Sequence, residues 1–133
     1  MNCETDIRIL LKNMTPVLND GEYVFCTIKD PEKIKHQDII ALFRENEGLT
    51  IILNKGIADQ LNLKYNYIAA WITLTIHSSL EAVGLTAVFS KALAEAAISC
   101  NVVAAYYHDH IFVAQRDAEK AMKVLRQLSE DSR

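Results

Sequence analysis

The 133-residue sequence has no apolar run near the roughly 20 residues that a membrane-spanning helix needs. Its first residues, Met1-Asn2-Cys3-Glu4-Thr5-Asp6, also lack the basic segment that opens a secretory signal. A cytoplasmic protein is the expectation. Lysine and arginine never cluster and the net charge is -3, which argues against nucleic acid and against an anionic membrane surface as partners. The three cysteines, Cys3, Cys26 and Cys100, are odd in number and contain no Cys-x-x-Cys, so neither a disulfide framework nor a zinc framework is indicated. G-x-S-x-G, G-x-G-x-x-G, H-E-x-x-H and phosphate-loop patterns are all absent. No catalytic residue, metal ligand or cofactor is therefore assigned, and the expected protein is not an enzyme.

What is present is a chain half hydrophobic by residue, enough to bury a sizeable core in one compact domain or two small ones. Ile7, Leu10, Leu11 and Met14 recur at helical spacing over residues 5–14, with Pro16 and Asn19-Asp20-Gly21 read as a stop and a turn. Residues 23–28 read as a strand, 29–38 as a surface loop, and 39–44 with 49–53 as a hairpin around Glu45-Asn46-Glu47-Gly48. A short helix is expected over 55–61. Residues 68–77 then alternate, with Ile72, Leu74 and Ile76 on one face and Trp71, Thr73, Thr75 and His77 on the other. From Leu85 an apolar stripe of Val88, Phe89, Ala92, Leu93, Ala96 and Ala97 marks a helix packed on a sheet. Residues 101–107 and 111–114 form a second hairpin around His108-Asp109-His110, and Asp117 is expected to cap a last helix. Segments 39–44 and 102–107 each precede a turn, a strand and a helix, a pseudo-repeat that points to two ferredoxin-like units.

The junction His77-Ser78-Ser79-Leu80-Glu81-Ala82-Val83-Gly84-Leu85-Thr86 carries the functional interest. A helix start leaves backbone N–H groups without intrahelical partners, and the aligned peptide dipoles favour a carboxylate or phosphate there. Gly84 removes a side chain that would obstruct such a ligand. The same residues admit plainer readings, since Ser78 and Glu81 have capping-box spacing and Gly84 also permits close packing of helix on sheet. His108 and His110 would share a face of a regular strand, yet a metal site needs more ligands and only His36 and His77 remain. A polar hairpin turn is the preferred reading of that tripeptide.

Residues 71–87 together with 101–113 resemble the ACT domain superfamily, and more narrowly small stand-alone bacterial proteins built from two ACT-like halves. The resemblance implies an α+β fold of tandem ferredoxin-like ACT units, with antiparallel sheets and helices packed on one face. It places an N-terminal half at 1–67 and a C-terminal ACT domain at 68–133, packed as one compact unit. It also implies regulation by a small ligand, commonly an amino acid, bound where the strand-to-helix loop of one ACT unit meets a neighbouring unit. The residues that carry over are Ser78, Ser79, Val83, Gly84, Leu85, Thr86, Asn101 and Val102, and position alone adds His77. The expected protein is thus an amino-acid-binding regulatory or sensor module acting on a separate partner, with homo-oligomerisation compatible with it. The rival is an oligomerisation or protein-interaction module with no small ligand, and an enzyme using His77 or the His108/His110 pair is the third reading.

Overall fold

The computed structural model describes residues 6–76 and 83–133. The chain forms two compact units, the larger made of Met1–Asn19 with Ala70–Arg133 and the smaller of Asp20–Ala69.

In the larger unit, α1 (Ile7–Asn13) is capped by the Asp6 carboxylate, which accepts the Arg8 N–H at 3.0 Å. The chain then runs directly into β1 (Thr15–Leu18), where the sequence suggested only a helix stop and a turn. Pro16 is tolerated in β1 because, among the described residues, this strand pairs only with β5 (Ile68–Thr75), in antiparallel register from Thr15↔Thr75 to Leu18↔Ile72. The strand is further tied by Thr75 Oγ1 donating to the Thr15 carbonyl at 2.8 Å.

After β5 come α3 (Leu85–Glu95), β6 (Asn101–Ala104), β7 (Asp109–Ala114) and α4 (Ala118–Asp131). The strand order β1-β5-β7-β6 is the ferredoxin-like arrangement, with its fourth strand supplied by the N-terminal segment instead of by residues after α4. Ile72, Leu74 and Ile76 face Leu85, Phe89 and Leu93 of α3 and Met122 and Leu125 of α4 in one buried cluster, as the alternation in β5 required.

The smaller unit follows the same plan with a shorter first crossover. Here β2 (Tyr23–Ile28) pairs antiparallel with β4 (Leu49–Asn54), β3 (Ile39–Arg44) flanks β4, and Ile68 and Ala69 at the start of β5 pair with Val24 and Tyr23. α2 (Lys55–Gln60) is capped by Asn54 Oδ1, which accepts from Gly56 N–H at 2.8 Å. Its core is a separate cluster of Val24, Cys26, Ile28, Ile34, Ile51, Leu53 and Ala58. Gly48 in the β3–β4 turn is required by close approach, since a Cβ there would lie 2.9 Å from Thr27 Oγ1.

Several local expectations are corrected. Residues 29–38 are not an irregular loop but hold two three-residue 3-10 turns, Pro31–Lys33 and His36–Asp38, anchored by buried Ile34. Tyr106 and Tyr107 sit in the β6–β7 turn, 76% and 64% exposed, with their rings edge to face, because β6 ends at Ala104. Ala97 leaves the expected apolar stripe and takes a left-handed φ of +61° that ends α3, with Ile98 N–H returning to the Leu93 carbonyl. Asp117 stands at the N-cap of α4, yet its side chain accepts no capping bond, because a 3-10 turn over Gln115–Asp117 leads into the helix.

Candidate functional site

Of the nine residues expected to bind a ligand, His77, Ser78 and Ser79 lie outside the described residues, as does the Ser78/Glu81 capping box. The others divide into two groups. Val83 is 86% exposed, and Gly84 is the N-cap of α3 with a left-handed φ of +93° and no side-chain capping bond. A Cβ on Gly84 would meet nothing within 4 Å among the described residues, and the left-handed backbone conformation itself demands glycine there. The Gly84 carbonyl accepts the Val88 N–H at 3.0 Å and starts the helical ladder. Leu85 is buried in the core and anchors this helix start, so only its backbone can face a ligand, whereas Thr86 is exposed.

Asn101 and Val102 form the second group, at the start of β6. α3 spans eleven residues, about 16 Å at 1.5 Å per residue. Ile98 is bonded back onto the last turn of α3, and Asn101 follows three residues later, at most about 11 Å along the chain. The two groups thus flank opposite ends of α3 along the chain. Asn101 Nδ2 also donates to the Phe112 carbonyl at 3.3 Å, within its own hairpin.

A polar cluster that the sequence did not single out lies on the sheet face opposite the helices of the larger unit. Trp71 Nε1 donates to His110 Nδ1 at 3.0 Å, and Thr73 Oγ1 lies 3.1 Å from the same nitrogen. Asn19 Nδ2 donates to Thr73 Oγ1 at 3.0 Å and to the Trp71 carbonyl at 3.1 Å, while Phe112 stacks on Trp71 with centroids 6.2 Å apart. With the lone pair of Nδ1 accepting from Trp71, His110 offers only Nε2 to any other group. Among the described residues no group of three His, Cys, Asp or Glu side chains could hold a metal ion. The period-2 alternation did place Trp71 and Thr73 on one face, but their convergence on His110 needs the pairing of distant strands.

The titratable residues of β7 pull stability in opposite directions. Burial pushes the Asp109 carboxyl above its ordinary value, opposed by the neighbouring His108 charge. Burial, reinforced by His108, lowers His110. For Asp109 the folded state binds its proton more tightly than the unfolded state, so the cost of the buried charge is fully present above the raised value and fades as pH falls towards 3.8. For His110 the sign is reversed, and stability is lost as pH falls below its ordinary 6.5 towards the lowered value. Asp109→Asn is therefore expected to raise the Tm at pH 8, with the gain shrinking as the pH is lowered. A lower Tm for the variant at pH 8 contradicts the burial argument. Burial also raises both described thiols, Cys100 to about 11, which leaves neither as a thiolate nucleophile at neutral pH.

Comparison with known proteins bears on the whole chain. A family model described as ACT domain matches residues 2–70, and a second, also described as ACT domain, matches residues 67–127. No curated protein sequence matches the chain. Among solved structures, a Vibrio cholerae protein described as of unknown function and a possible transport protein is 46% identical at a TM-score of 0.84, over 92% of this chain and 95% of that one. The regulatory subunit of aspartate kinase from Thermus thermophilus matches at 10% identity and a TM-score of 0.60, over 85% of this chain and 95% of its own. Clostridium acetobutylicum aspartate kinase matches at 11% identity and a TM-score of 0.59, over 89% of this chain and 34% of its own length, a likeness of fold alone. On these matches and on its ferredoxin-like sheets, the chain belongs to the ACT domain family, with two such domains in tandem.

Proposed function

We propose that this chain is a regulatory sensor that binds an amino acid and has no catalytic step of its own. The observation that carries the reading is the start of α3, where left-handed Gly84 caps the helix without a side chain and no described residue lies within 4 Å of where its Cβ would stand. Backbone N–H groups of Leu85 and Thr86 are then available to a ligand carboxylate. In this reading His77, Ser78, Ser79, Val83, Gly84, Leu85 and Thr86 form one wall. Asn101 and Val102 at the far end of α3 form the other, and they come from a second copy of the chain. A composite site of this kind couples ligand binding to the arrangement of ACT units, because the ligand favours the arrangement that closes it. The output acts on a separate partner protein. The two ACT halves are read as 1–67 and 68–133, and Cys26 and Cys100, both free thiols, suit the reducing cytoplasm. No helix among the described residues is long and apolar enough to cross a membrane.

Thermal-shift measurement against the twenty amino acids tests the reading, since a ligand at 100 times its Kd adds about 2.7 kcal/mol of apparent stability. The informative variant is Gly84→Asn, because asparagine takes a left-handed conformation at less cost than other side chains and adds bulk to the site. Its expected result is a Tm close to wild type without ligand and a shift reduced or abolished with it. An undiminished shift removes Gly84 from the site.

One observation favours the rival reading of an interaction module. β3 is an edge strand of the smaller unit and exposes Ile40, Leu42 and Phe43, the last at 71%. Such an edge is suited to pairing with another chain.

A further inference from the structure

We propose that His110 and Trp71 form a proton-operated latch on the open sheet face of the larger unit, closed at neutral pH and opened when His110 takes up a second proton. The latch rests on an asymmetry between the two partners of one nitrogen. Trp71 Nε1 donates to His110 Nδ1 at 3.0 Å, so Nδ1 carries a lone pair and the imidazole proton sits on Nε2. An indole N–H can only donate. Once Nδ1 is protonated, two donors face each other and that bond breaks. Thr73 Oγ1, 3.1 Å from the same nitrogen, serves either form, because a hydroxyl donates to the lone pair or accepts from the N–H. It already accepts from Asn19 Nδ2 at 3.0 Å and has a second lone pair for the imidazolium. Protonation thus hands Nδ1 from Trp71 to Thr73 and releases the indole.

The surroundings set the pH of that event and give it a consequence. On this face β1 contributes Thr15 and Val17, β5 adds Thr75 to the two partners, and β6 contributes Asn101 and Val103, none of them ionisable. The ionisable neighbours lie along the chain itself. Asp109 alternates to the helix-covered side of β7 and is buried, while His108 precedes it in the turn. With no carboxylate among the described residues of the face, nothing there holds an imidazolium, and burial together with the His108 charge lowers His110 from its ordinary 6.5. The latch therefore stays closed until the pH falls below that value. Phe112, two residues further along β7 on the same face, is only 1% exposed, and the Trp71 ring stacked on it at 6.2 Å is part of its cover. Releasing the indole frees that ring to move, so mild acid uncovers apolar surface that is closed at pH 8.

Trp71 is the only tryptophan of the chain, so its fluorescence reads the latch directly as the full chain is taken from about pH 8 to about pH 4.5. The expected result is one transition in emission centred below pH 6.5, with the far-UV circular dichroism unchanged across it. His110→Asn sets an amide near the position of Nδ1 but cannot titrate, so its emission should stay flat. His108→Asn should keep the transition and move it upward, because one opposing charge is gone. Imidazole NMR supplies the second reading. At pH 8 His110 should be the Nε2–H tautomer, and in Trp71→Phe it should titrate about 0.4–1 pH unit higher, the worth of one net hydrogen bond to the neutral form. A transition that survives in His110→Asn, one that appears only as the circular dichroism collapses, or a His110 titration unmoved by Trp71→Phe overturns the latch.

Discussion

Phe89→Ala is expected to destabilise the protein by about 3–5 kcal/mol, the range for deleting a buried aromatic ring. Phe89 is fully buried at the middle of α3, with buried Leu85 one turn before it and Leu93 one turn after. It belongs to the same cluster as Ile72 and Leu74 of β5, Ile111 and Val113 of β7, and Leu125 of α4, so truncation leaves a cavity walled by two strands and two helices. On the entropy of unfolding usual for a chain of this length, the Tm should fall by roughly 10 °C or more. Hydrogen exchange should lose protection across α3, β5 and β7 together. The proposed ligand site should suffer as well, because Leu85 and Phe89 seat the helix whose first turn presents Gly84 and Thr86. A loss of no more than about 0.5 kcal/mol, the ordinary size for a surface change, contradicts this packing.

The smaller unit gives the second large effect. Ile51→Ala in β4 is expected to cost about 2–5 kcal/mol, since Ile51 is fully buried and its cluster has only seven buried members. So small a core has little scope to collapse around a void, which places the expectation in the upper half of that range. Exchange protection should disappear first in β2, β3 and β4. Phe43→Ser on the neighbouring edge strand is the contrast, because its ring is 71% exposed and its removal should change stability by no more than about 0.5 kcal/mol. Equal losses for the two variants would show that the β3 edge is covered in solution, in favour of the interaction-module reading.

Much of this architecture was legible from local pattern. The alternation in β5 separates Ile72, Leu74 and Ile76 from Trp71, Thr73 and Thr75, and the structure buries the first set under α3 and α4. The stripe containing Phe89 and Leu93 faces the sheet as periodicity demands. The misses occur where a long-range partner overrides a local signal. Pro16 reads as a breaker, yet it lies within β1 because β5 offers it an outer edge. Tyr106 and Tyr107 have strand-forming side chains, but closure of the hairpin by Ala105 N–H on the His108 carbonyl puts them in the turn.

The candidate site was legible to a similar degree. A glycine after a polar stretch and before an apolar helix marks the start of α3, and the left-handed conformation of Gly84 supplies the reason for glycine there. Its proposed grouping with Asn101 and Val102 came from the family resemblance and not from spacing, since the eleven residues of α3 stand between them in the chain. The bond between Trp71 and His110 gave no motif, since it depends on β7 lying beside β5.

The sequence by itself determined most of the element types, their amphipathic faces and the ACT family, because helical and strand periodicities, turn residues and the strand-to-helix motif are properties of neighbouring residues. Only the tertiary structure decided that the N-terminal segment completes the larger sheet and that His110 meets Trp71 and Thr73. Each of those depends on contacts between residues tens of positions apart, such as Thr15 with Thr75, whose formation is set by competing burial and strand pairing over the whole chain and leaves no periodic trace along it.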